Sequence, residues 1–260
     1  KPIWTPTYIT ISDLFRRHSD LKVADPIKSI CDLHKVFVAC TGIDETLDHF
    51  YGWGQLLLAD FDDVDKNMVD AKLLFANLSD IHELDDVSYL TDYQKAMIKK
   101  FFSNFSDDHN TELKKRFLQL WSHFYDIYIG FNQKLAEQQL AYEGALYRKV
   151  VNDEDIDFHY KKYLFIGFNM MQIVEQTLCD RLLKQGKALF YWDYDKYYME
   201  GQNEAGHYIR QYLKHYPNEL ASYPQKDIYD NMSKNKDITY ISAPTENIQA
   251  VYSAQWLKQG

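Results

Sequence analysis

The chain has 260 residues, 46% of them hydrophobic, and a formal net charge of -9. This length and apolar content support one large or two small folded domains and argue against an intrinsically disordered protein. The acidic balance argues against a protein that coats nucleic acid by bulk electrostatic attraction, although a local basic patch is compatible with it. No apolar run approaches the ~20 residues that span a bilayer, and the cysteines lack the spacing of a metal site or a disulfide framework. We therefore expect a cytoplasmic protein that does not contact a membrane.

The N-terminal segment TPTYITISDLFRR has the pattern of a strand that leads into a helix. Residues 8–11 predict the strand, and Ser12 is expected to cap the helix. Asp13 stands in the first helical turn, where a carboxylate is favoured. We assign residues 1–25 to the first part of an α/β core.

The next segment, residues 26–151, is almost wholly helical in pattern, with few glycines or prolines and no convincing strand. Thr91 and Gln94 form a capping box at the start of one helix. Farther along, apolar residues recur at three- and four-residue steps, which predicts a helix facing a core; they are Leu113, Phe117, Leu120, Phe124, Ile127, Tyr128, Phe131 and Leu135. The segment is therefore predicted to be a large all-helical insertion.

An acidic run, DFDDVDK, lies within this insertion and contains Asp60, Asp62, Asp63 and Asp65. The run lacks the glycine at the sixth position and the closing glutamate of an EF-hand loop. The favoured interpretation is that these carboxylates stabilise the N-terminus of the helix that follows. A calcium site is the alternative.

From residue 152 to residue 260 the pattern changes to short apolar runs separated by helices. Residues 163–168 and 188–192 predict two strands around a helix, and the segment DITYIS predicts another strand before a last helix starting near Thr245. Right-handed crossovers would arrange such strands as a parallel sheet covered by helices. These residues are therefore predicted to be the second part of the α/β core.

Sequence motifs for catalysis are absent from the chain. No phosphate-binding loop, dinucleotide-binding fingerprint or serine nucleophile elbow occurs. The Glu-x-Lys at Glu112 falls at a predicted helix start, which excludes a PD-(D/E)xK nuclease centre in this segment. We predict no catalytic residue, no cofactor and no metal site.

Asp193 and Asp195, in the segment YWDYD, come directly after a predicted strand. Ligands of α/β proteins gather at the carboxyl ends of strands, so these residues form a possible ligand loop. A metal-dependent phosphoesterase would need further ligands from neighbouring loops. The other interpretation is a loop anchored by hydrogen bonds from backbone N–H groups to the carboxylates.

Five segments together resemble the AddB-like family of bacterial double-strand-break repair proteins, and they span nearly the whole chain: KPIWTPTYITISDLF, FYGWGQLLLADFDDVDKNMVDA, AYEGALYRKV, YLFIGFN, and FYWDYDKYY with EAGHYIR. The resemblance implies the first half of a superfamily I helicase motor, with a P-loop NTPase/helicase-like core and an arm-like helical insertion. It places Gly167 and Phe168 at the Walker B position, where an active motor has its Asp-Glu pair, which implies loss of ATPase activity. It also implies a phosphate-loop strand before Lys1 and a second motor domain and PD-(D/E)XK nuclease after Gly260.

The function implied by the resemblance is a non-catalytic, ATPase-dead region of an exonuclease subunit that holds or scans DNA in recombinational repair, beside a partner helicase-nuclease subunit. Local cations would then contact DNA, and the candidates are Lys99, Lys100, Lys114, Lys115, Arg116, Arg148 and Lys149. Trp53, Trp121 and Trp192 would stack on bases if exposed. A scaffold that docks the partner subunit without DNA contact is the alternative, favoured by an exposed apolar face on the helical arm. A metal-dependent phosphoesterase is a third, less favoured function.

Overall fold

The computed structural model describes residues 5–77, 120–201, 203–222 and 226–259. The chain divides into two compact units, each assembled from two segments. The first unit is Lys1–Leu164 with Met170–Leu189, and the second unit is Phe165–Asn169 with Phe190–Gly260. These bounds differ from the predicted division after residues 25 and 151.

The described part of the first unit is built mainly from helices: α1 Ile11–Arg17, α2 Pro26–Thr41, α3 Leu47–Lys66, α4 Ala71–Asn77, α5 Phe124–Ala136, α6 Glu143–Asn152 and α7 Ile173–Lys184. The short strands β1 Lys22–Val23 and β2 Leu140–Ala141 pair in parallel. Helix α3 packs against α2, α6 and α7, and α1 packs against α6. The predicted insertion and the predicted core thus share one helical body.

Local sequence explains where these helices begin. Asp25 caps α2 by accepting a hydrogen bond from the backbone N–H of Lys28, and Pro26 occupies the first helical position, where its missing N–H costs nothing. Thr46 caps α3 in the same way. Gly42 ends α2 in a left-handed conformation, with φ 68°.

Aromatic side chains fill the core of the first unit, including Phe37, Phe50 and Phe61, which are fully buried. The predicted apolar stripe is confirmed where the structure describes it, because its members on and before α5 are buried: Leu120, Phe124, Ile127, Tyr128, Phe131 and Leu135. Leu113, Phe117 and the capping box at Thr91 and Gln94 lie outside the described residues.

The acidic run does not begin a helix, so that prediction is wrong. Helix α3 continues through it to Lys66, because apolar residues keep a three- to four-residue spacing across the run, with Phe61 and Val64 buried. The four aspartates therefore occupy the last turns of α3. Asp65 is buried, while Asp60 lies on the exposed side.

Strands β3 Tyr163–Ile166 and β4 Ala188–Tyr191 form a two-stranded sheet and contribute residues to both units. The described part of the second unit also contains the helices α8 Lys196–Met199, α9 His207–Tyr212 and α10 Glu246–Gln259, with 3-10 turns at Glu204–Gly206, Glu219–Ser222 and Lys226–Tyr229. Its core is a run of stacked rings, in which Trp192 lies 5.9 Å from Phe190 and 5.5 Å from Tyr212 between centroids. No helix among the described residues is both long and apolar enough to cross a membrane.

The predicted α/β fold, a parallel sheet with a P-loop NTPase/helicase-like core, is wrong. Helices predominate in the described residues, and the only sheets there are two parallel pairs of strands. The strand, helix and strand between residues 163 and 192 are confirmed as β3, α7 and β4. They do not extend into a larger sheet.

Two predicted strands fail to form, for different reasons. At residues 8–11, Thr10 caps α1 through a reciprocal pair of hydrogen bonds with Asp13, so the helix starts at Ile11. At residues 237–242, no strand pairs with the segment DITYIS in the described part of the chain, and Tyr240 is 90% exposed. A segment with strand propensity forms a strand only where a neighbouring strand is available to pair with it.

Candidate functional site: a pocket at the strand ends of the second unit

A pocket of about 490 Å³ lies beside the carboxyl ends of β3 and β4. Gly167 follows β3 directly and has φ 79°, a left-handed conformation that turns the chain away from the strand and favours glycine. Trp192 and Asp193 follow β4. All the residues that line the pocket belong to the second unit.

The pocket brings together the site residues that the sequence predicted at two separate positions. Gly167 and Phe168, from the end of β3, and Asp193 and Asp195, from the end of β4, all line it. Parallel strands place their carboxyl ends at one edge, which is why positions so far apart in sequence meet.

Three of the residues that line the pocket are aromatic: Phe168, Tyr194 and Tyr198. Tyr194 stacks on Tyr229, with centroids 4.5 Å apart, and the hydroxyl of Tyr198 donates to the sulfur of Met232 at 3.7 Å. These contacts fix the orientation of two of the rings.

Asp195 anchors the pocket rather than facing a ligand. One carboxylate oxygen accepts from the backbone N–H of Tyr197 at 3.0 Å, and the other accepts from Asn231 at 2.6 Å and Met232 at 2.8 Å. Desolvation raises the pKa of Asp195, but these donors and the nearby Lys236 ammonium lower it below its ordinary value. For Asp195 the structure thus shows the backbone-anchored loop.

Asp193 and Asn169 differ from Asp195, because both are exposed and line the same pocket. Neither side chain has a hydrogen-bond or ion-pair partner among the described residues. A carboxylate offers acceptors, and an amide offers both a donor and an acceptor. These two groups, together with the hydroxyl of Tyr194, are available to a ligand.

Two lysines bond to residues of the pocket lining. Lys234 donates its ammonium to the side-chain oxygen of Asn231 at 2.9 Å, and Lys236 donates to the backbone oxygen of Met232 at 2.7 Å. Both acceptors belong to residues that line the pocket. Our sequence predictions missed this pair because it lies outside any regular element, although the spacing Lys-x-Lys in NMSKNKDI marks a local excess of positive charge.

Arg148 and Lys149, predicted to contact DNA, are both paired with carboxylates of the first unit. Arg148 bonds to Asp65 at 3.2 Å and to the backbone oxygen of Val69 at 2.7 Å. Lys149 bonds to Asp20 at 2.7 Å. The other predicted contacts, Lys99, Lys100, Lys114, Lys115 and Arg116, lie outside the described residues.

The carboxylate of Asp65 is the centre of a buried network. The hydroxyl of Tyr128 donates to it at 2.6 Å, and the hydroxyl of Tyr142 donates to its other oxygen. Burial and the charge of Asp65 raise the pKa of Tyr142 well above its ordinary value, so this tyrosine remains a donor. Asp65 and Arg148 therefore serve the packing of the first unit.

The tryptophans proposed to stack on bases are largely enclosed. Trp53 is 8% exposed and Trp192 is 1% exposed, and Trp121 is half-buried. Stacking in the second unit is thus left to the rings that line the pocket.

The described residues contain no group of three or more histidine, cysteine, aspartate or glutamate side chains arranged to hold a metal ion. Searches for related proteins returned no matching protein family, no matching curated protein and no matching solved structure.

Proposed function

We propose that this chain is a non-catalytic part of a bacterial DNA-end-processing nuclease and that it holds single-stranded DNA by seating a base in the pocket of the second unit. The observation that carries the proposal is the composition of this pocket. Phe168, Tyr194 and Tyr198 are among the residues that line it, Lys234 and Lys236 bond to two other lining residues, and Asp193 and Asn169 present unpaired polar groups.

Each part of the pocket matches one part of a nucleotide. Bases stack on aromatic side chains, at about 1–3 kcal/mol per base, and the phosphate backbone is attracted to nearby ammonium groups. The volume of about 490 Å³ lies within the range of pockets that bind small molecules. Lys234 and Lys236 supply local positive charge, although the chain as a whole has a net charge of -9.

The sequence resemblance supports the wider setting of the proposal, which is recombinational repair in the cytoplasm beside a partner helicase-nuclease subunit. A non-catalytic role is supported by Asp195, whose two oxygens are occupied by backbone donors. The nuclease activity would belong to another part of the parent protein.

Fluorescence anisotropy of a labelled single-stranded oligonucleotide, titrated at several salt concentrations, tests the proposal. We expect salt-sensitive binding, and we expect Lys234→Ala/Lys236→Ala to reduce the slope of log affinity against log salt by about 1.4, since each phosphate that a lysine neutralises on a single strand adds about 0.7 to it. Phe168→Ala should weaken binding at every salt concentration, since it removes a stacking surface.

The matched control is Lys214→Ala/Lys258→Ala, which removes the same charge from exposed positions of the second unit that do not line the pocket. Its salt slope should equal that of the unmodified protein. Absence of binding at low salt, or equal reductions of affinity in the two double variants, would contradict a base-holding pocket.

A second candidate function, docking of the partner subunit, is favoured by helix α10. Ile248, Tyr252 and Trp256 recur at four-residue steps, and all three are exposed, Trp256 by 53%. A helix of 14 residues is marginal in water by itself, and exposed apolar surfaces commonly mark interaction sites. These exposed apolar side chains lie on α10, whereas an exposed apolar face on the helical arm was the feature that would have favoured docking through the arm.

Isothermal titration with the purified helicase subunit of the same nuclease tests this second function. We expect Tyr252→Ala/Trp256→Ala to abolish the binding heat and to leave DNA binding unchanged, since neither residue lines the pocket. An unaltered heat in this variant would exclude α10 as the docking helix.

A further inference from the structure

We infer that the pocket selects guanine over the other three DNA bases, through the carboxylate of Asp193 and the amide of Asn169. The inference rests on the proposed function, because it names the base that the pocket would hold. It begins with the fact that the pocket has few polar groups left for recognition.

The other polar side chains of the pocket are already committed. Both oxygens of Asp195 accept backbone hydrogen bonds. The amide of Asn231 donates to the backbone oxygen of Ile228 at 3.0 Å and accepts from Lys234 at 2.9 Å. Among the described lining residues, the side chains of Asp193 and Asn169 and the hydroxyl of Tyr194 thus remain without a hydrogen-bond partner, and Asp193 is the charged one of the three.

An ionised carboxylate can only accept hydrogen bonds, so Asp193 favours a base edge that presents donors. Guanine presents two neighbouring donors, the ring N1–H and the exocyclic N2 amino group, which match the two carboxylate oxygens. Adenine and cytosine each present one amino group beside an acceptor, and thymine presents one N–H between two carbonyls. A carboxylate facing those acceptors is repelled, so guanine is the best-matched base.

Asn169 and the lysines complete the match. The amide of Asn169 has N–H donors for the O6 and N7 acceptors of guanine. Lys234 and Lys236 bond to the lining residues Asn231 and Met232, so their ammonium groups would lie near the sugar-phosphate backbone of a seated base, and their charge offsets that of Asp193 and Asp195. The aromatic wall stacks with any base and does not discriminate by itself.

The test is anisotropy competition with thymidine oligonucleotides that differ only in one central base: thymine, cytosine, adenine, guanine or hypoxanthine. Hypoxanthine lacks the N2 amino group of guanine and keeps its O6, N7 and N1–H. We expect the guanine oligonucleotide to bind about 5- to 150-fold more tightly than the thymine one, as a bidentate base contact provides. Hypoxanthine should lose most of this preference.

Asp193→Asn is the diagnostic variant, because it keeps the shape of an exposed side chain and converts one acceptor into a donor. We expect it to abolish the preference for guanine while the thymine oligonucleotide still binds. Asp237→Asn is the control, since it removes the same charge from an exposed position outside the pocket lining and should keep the preference.

Equal binding of all five oligonucleotides by the unmodified protein would overturn the selection of guanine and leave the base-holding function standing. Equal binding of guanine and hypoxanthine, or a guanine preference that persists in Asp193→Asn, would overturn the role of Asp193. Absence of binding to every oligonucleotide would overturn both the base-holding function and the selection of guanine.

Discussion

At the scale of single residues, the environment of a charged side chain decides whether it stabilises the protein or remains available to a ligand. Arg148 and Lys149 are neighbours in sequence, yet their partners differ. The Asp65 carboxylate bound by Arg148 is 1% exposed, whereas the Asp20 carboxylate bound by Lys149 is 73% exposed. Removing the partner of a buried charge is costly, and removing the partner of a solvated charge is not.

We therefore expect Arg148→Ala to lower the free energy of unfolding by about 3 kcal/mol, because it leaves the Asp65 carboxylate buried without its cation. Lys149→Ala should lower it by no more than about 1 kcal/mol. Urea unfolding followed by far-ultraviolet circular dichroism at neutral pH gives both values. Similar small effects in the two variants would mean that the hydroxyls of Tyr128 and Tyr142 suffice to hold Asp65.

The environment of the Asp32 carboxylate should make the stability of the protein depend on pH. Its side chain is 6% exposed and contacts Lys28 at 2.6 Å and Gln138 at 3.2 Å. Burial by itself raises the pKa of Asp32, but these hydrogen bonds and the charges of Lys28 and Lys35 lower it below 3.8. A lowered folded pKa stabilises the protein above the unfolded pKa, and this contribution is lost as the pH falls through the folded pKa.

Asp32→Asn should accordingly lower the free energy of unfolding by about 1–2 kcal/mol at pH 7, because charged hydrogen bonds are removed. The difference from the unmodified protein should shrink as the pH falls below 3.8. Asp44→Asn, at an exposed position, is the control and should show little difference at any pH. A destabilisation by Asp32→Asn that stays constant with pH would show that packing, not charge, is responsible.

At the scale of elements, glycine controls how closely α6 approaches α3. A Cβ atom on Gly144 would lie 2.4 Å from the backbone oxygen of Asp62, which is closer than real Cβ atoms come to backbone. The backbone N–H of Gly144 also donates to the Asp62 carboxylate at 2.6 Å. Gly130 on α5 is less restricted, because its Cβ would lie 3.1 Å from a methyl group of Val36.

We expect Gly144→Ala to destabilise the protein by about 1–3 kcal/mol, since α6 must move away from α3 to admit the methyl group. Gly130→Ala should change stability by about 1 kcal/mol or less, because the gain in helix propensity offsets the tighter contact. Thermal unfolding of both variants measures the difference in stability. Equal stability of the two would show that α3 and α6 can separate at little cost.

Some secondary-structure elements could be predicted from the local sequence, and others could not. The strand, helix and strand between residues 163 and 192 and the last helix, α10, were predicted from local sequence alone, since the strands are short apolar runs and the helices lie next to them in the chain. The segments at residues 8–11 and 237–242 carry equally clear strand patterns but form no strand. Their outcome depended on a competing cap at Thr10 and on the absence of a described pairing partner.

At the scale of the whole molecule, each unit has its own aromatic core, and the segment before α10 belongs to neither core. Residues 230–245 are almost all exposed, and the stretch 237–242 has no backbone hydrogen bond among the described residues. Segments of this kind open at little free-energy cost and are preferred sites of proteolysis.

Limited digestion with trypsin should therefore cut after Lys234 or Lys236 well before Lys66, whose side chain is 14% exposed and paired with Asp62 and Glu143. Mass spectrometry of the early fragments identifies the order of cleavage. A saturating oligonucleotide should slow the cut at Lys236 if Lys234 and Lys236 contact phosphates. Early cleavage after Lys66 would contradict the packing of α3 described above.

The sequence by itself determined the local features of this protein: the apolar stripe of α5, the order β3, α7, β4, and the absence of the catalytic motifs that were sought. Such features depend on residues only a few positions apart, which the periodicity of the chain records directly. The resemblance to a repair nuclease stays a prediction about function, and the helicase-like core that it implied is not what the chain forms.

Only the tertiary structure decided the features that join distant positions. Asp65 meets Tyr128, Tyr142 and Arg148 across 63, 77 and 83 residues, so its burial could not be predicted from the acidic run around it. The pocket likewise joins the ends of β3 and β4 to the lysines of the later segment 234–236. Packing and strand pairing select such contacts from many that a linear pattern permits, because their free energy depends on the neighbours that the fold supplies.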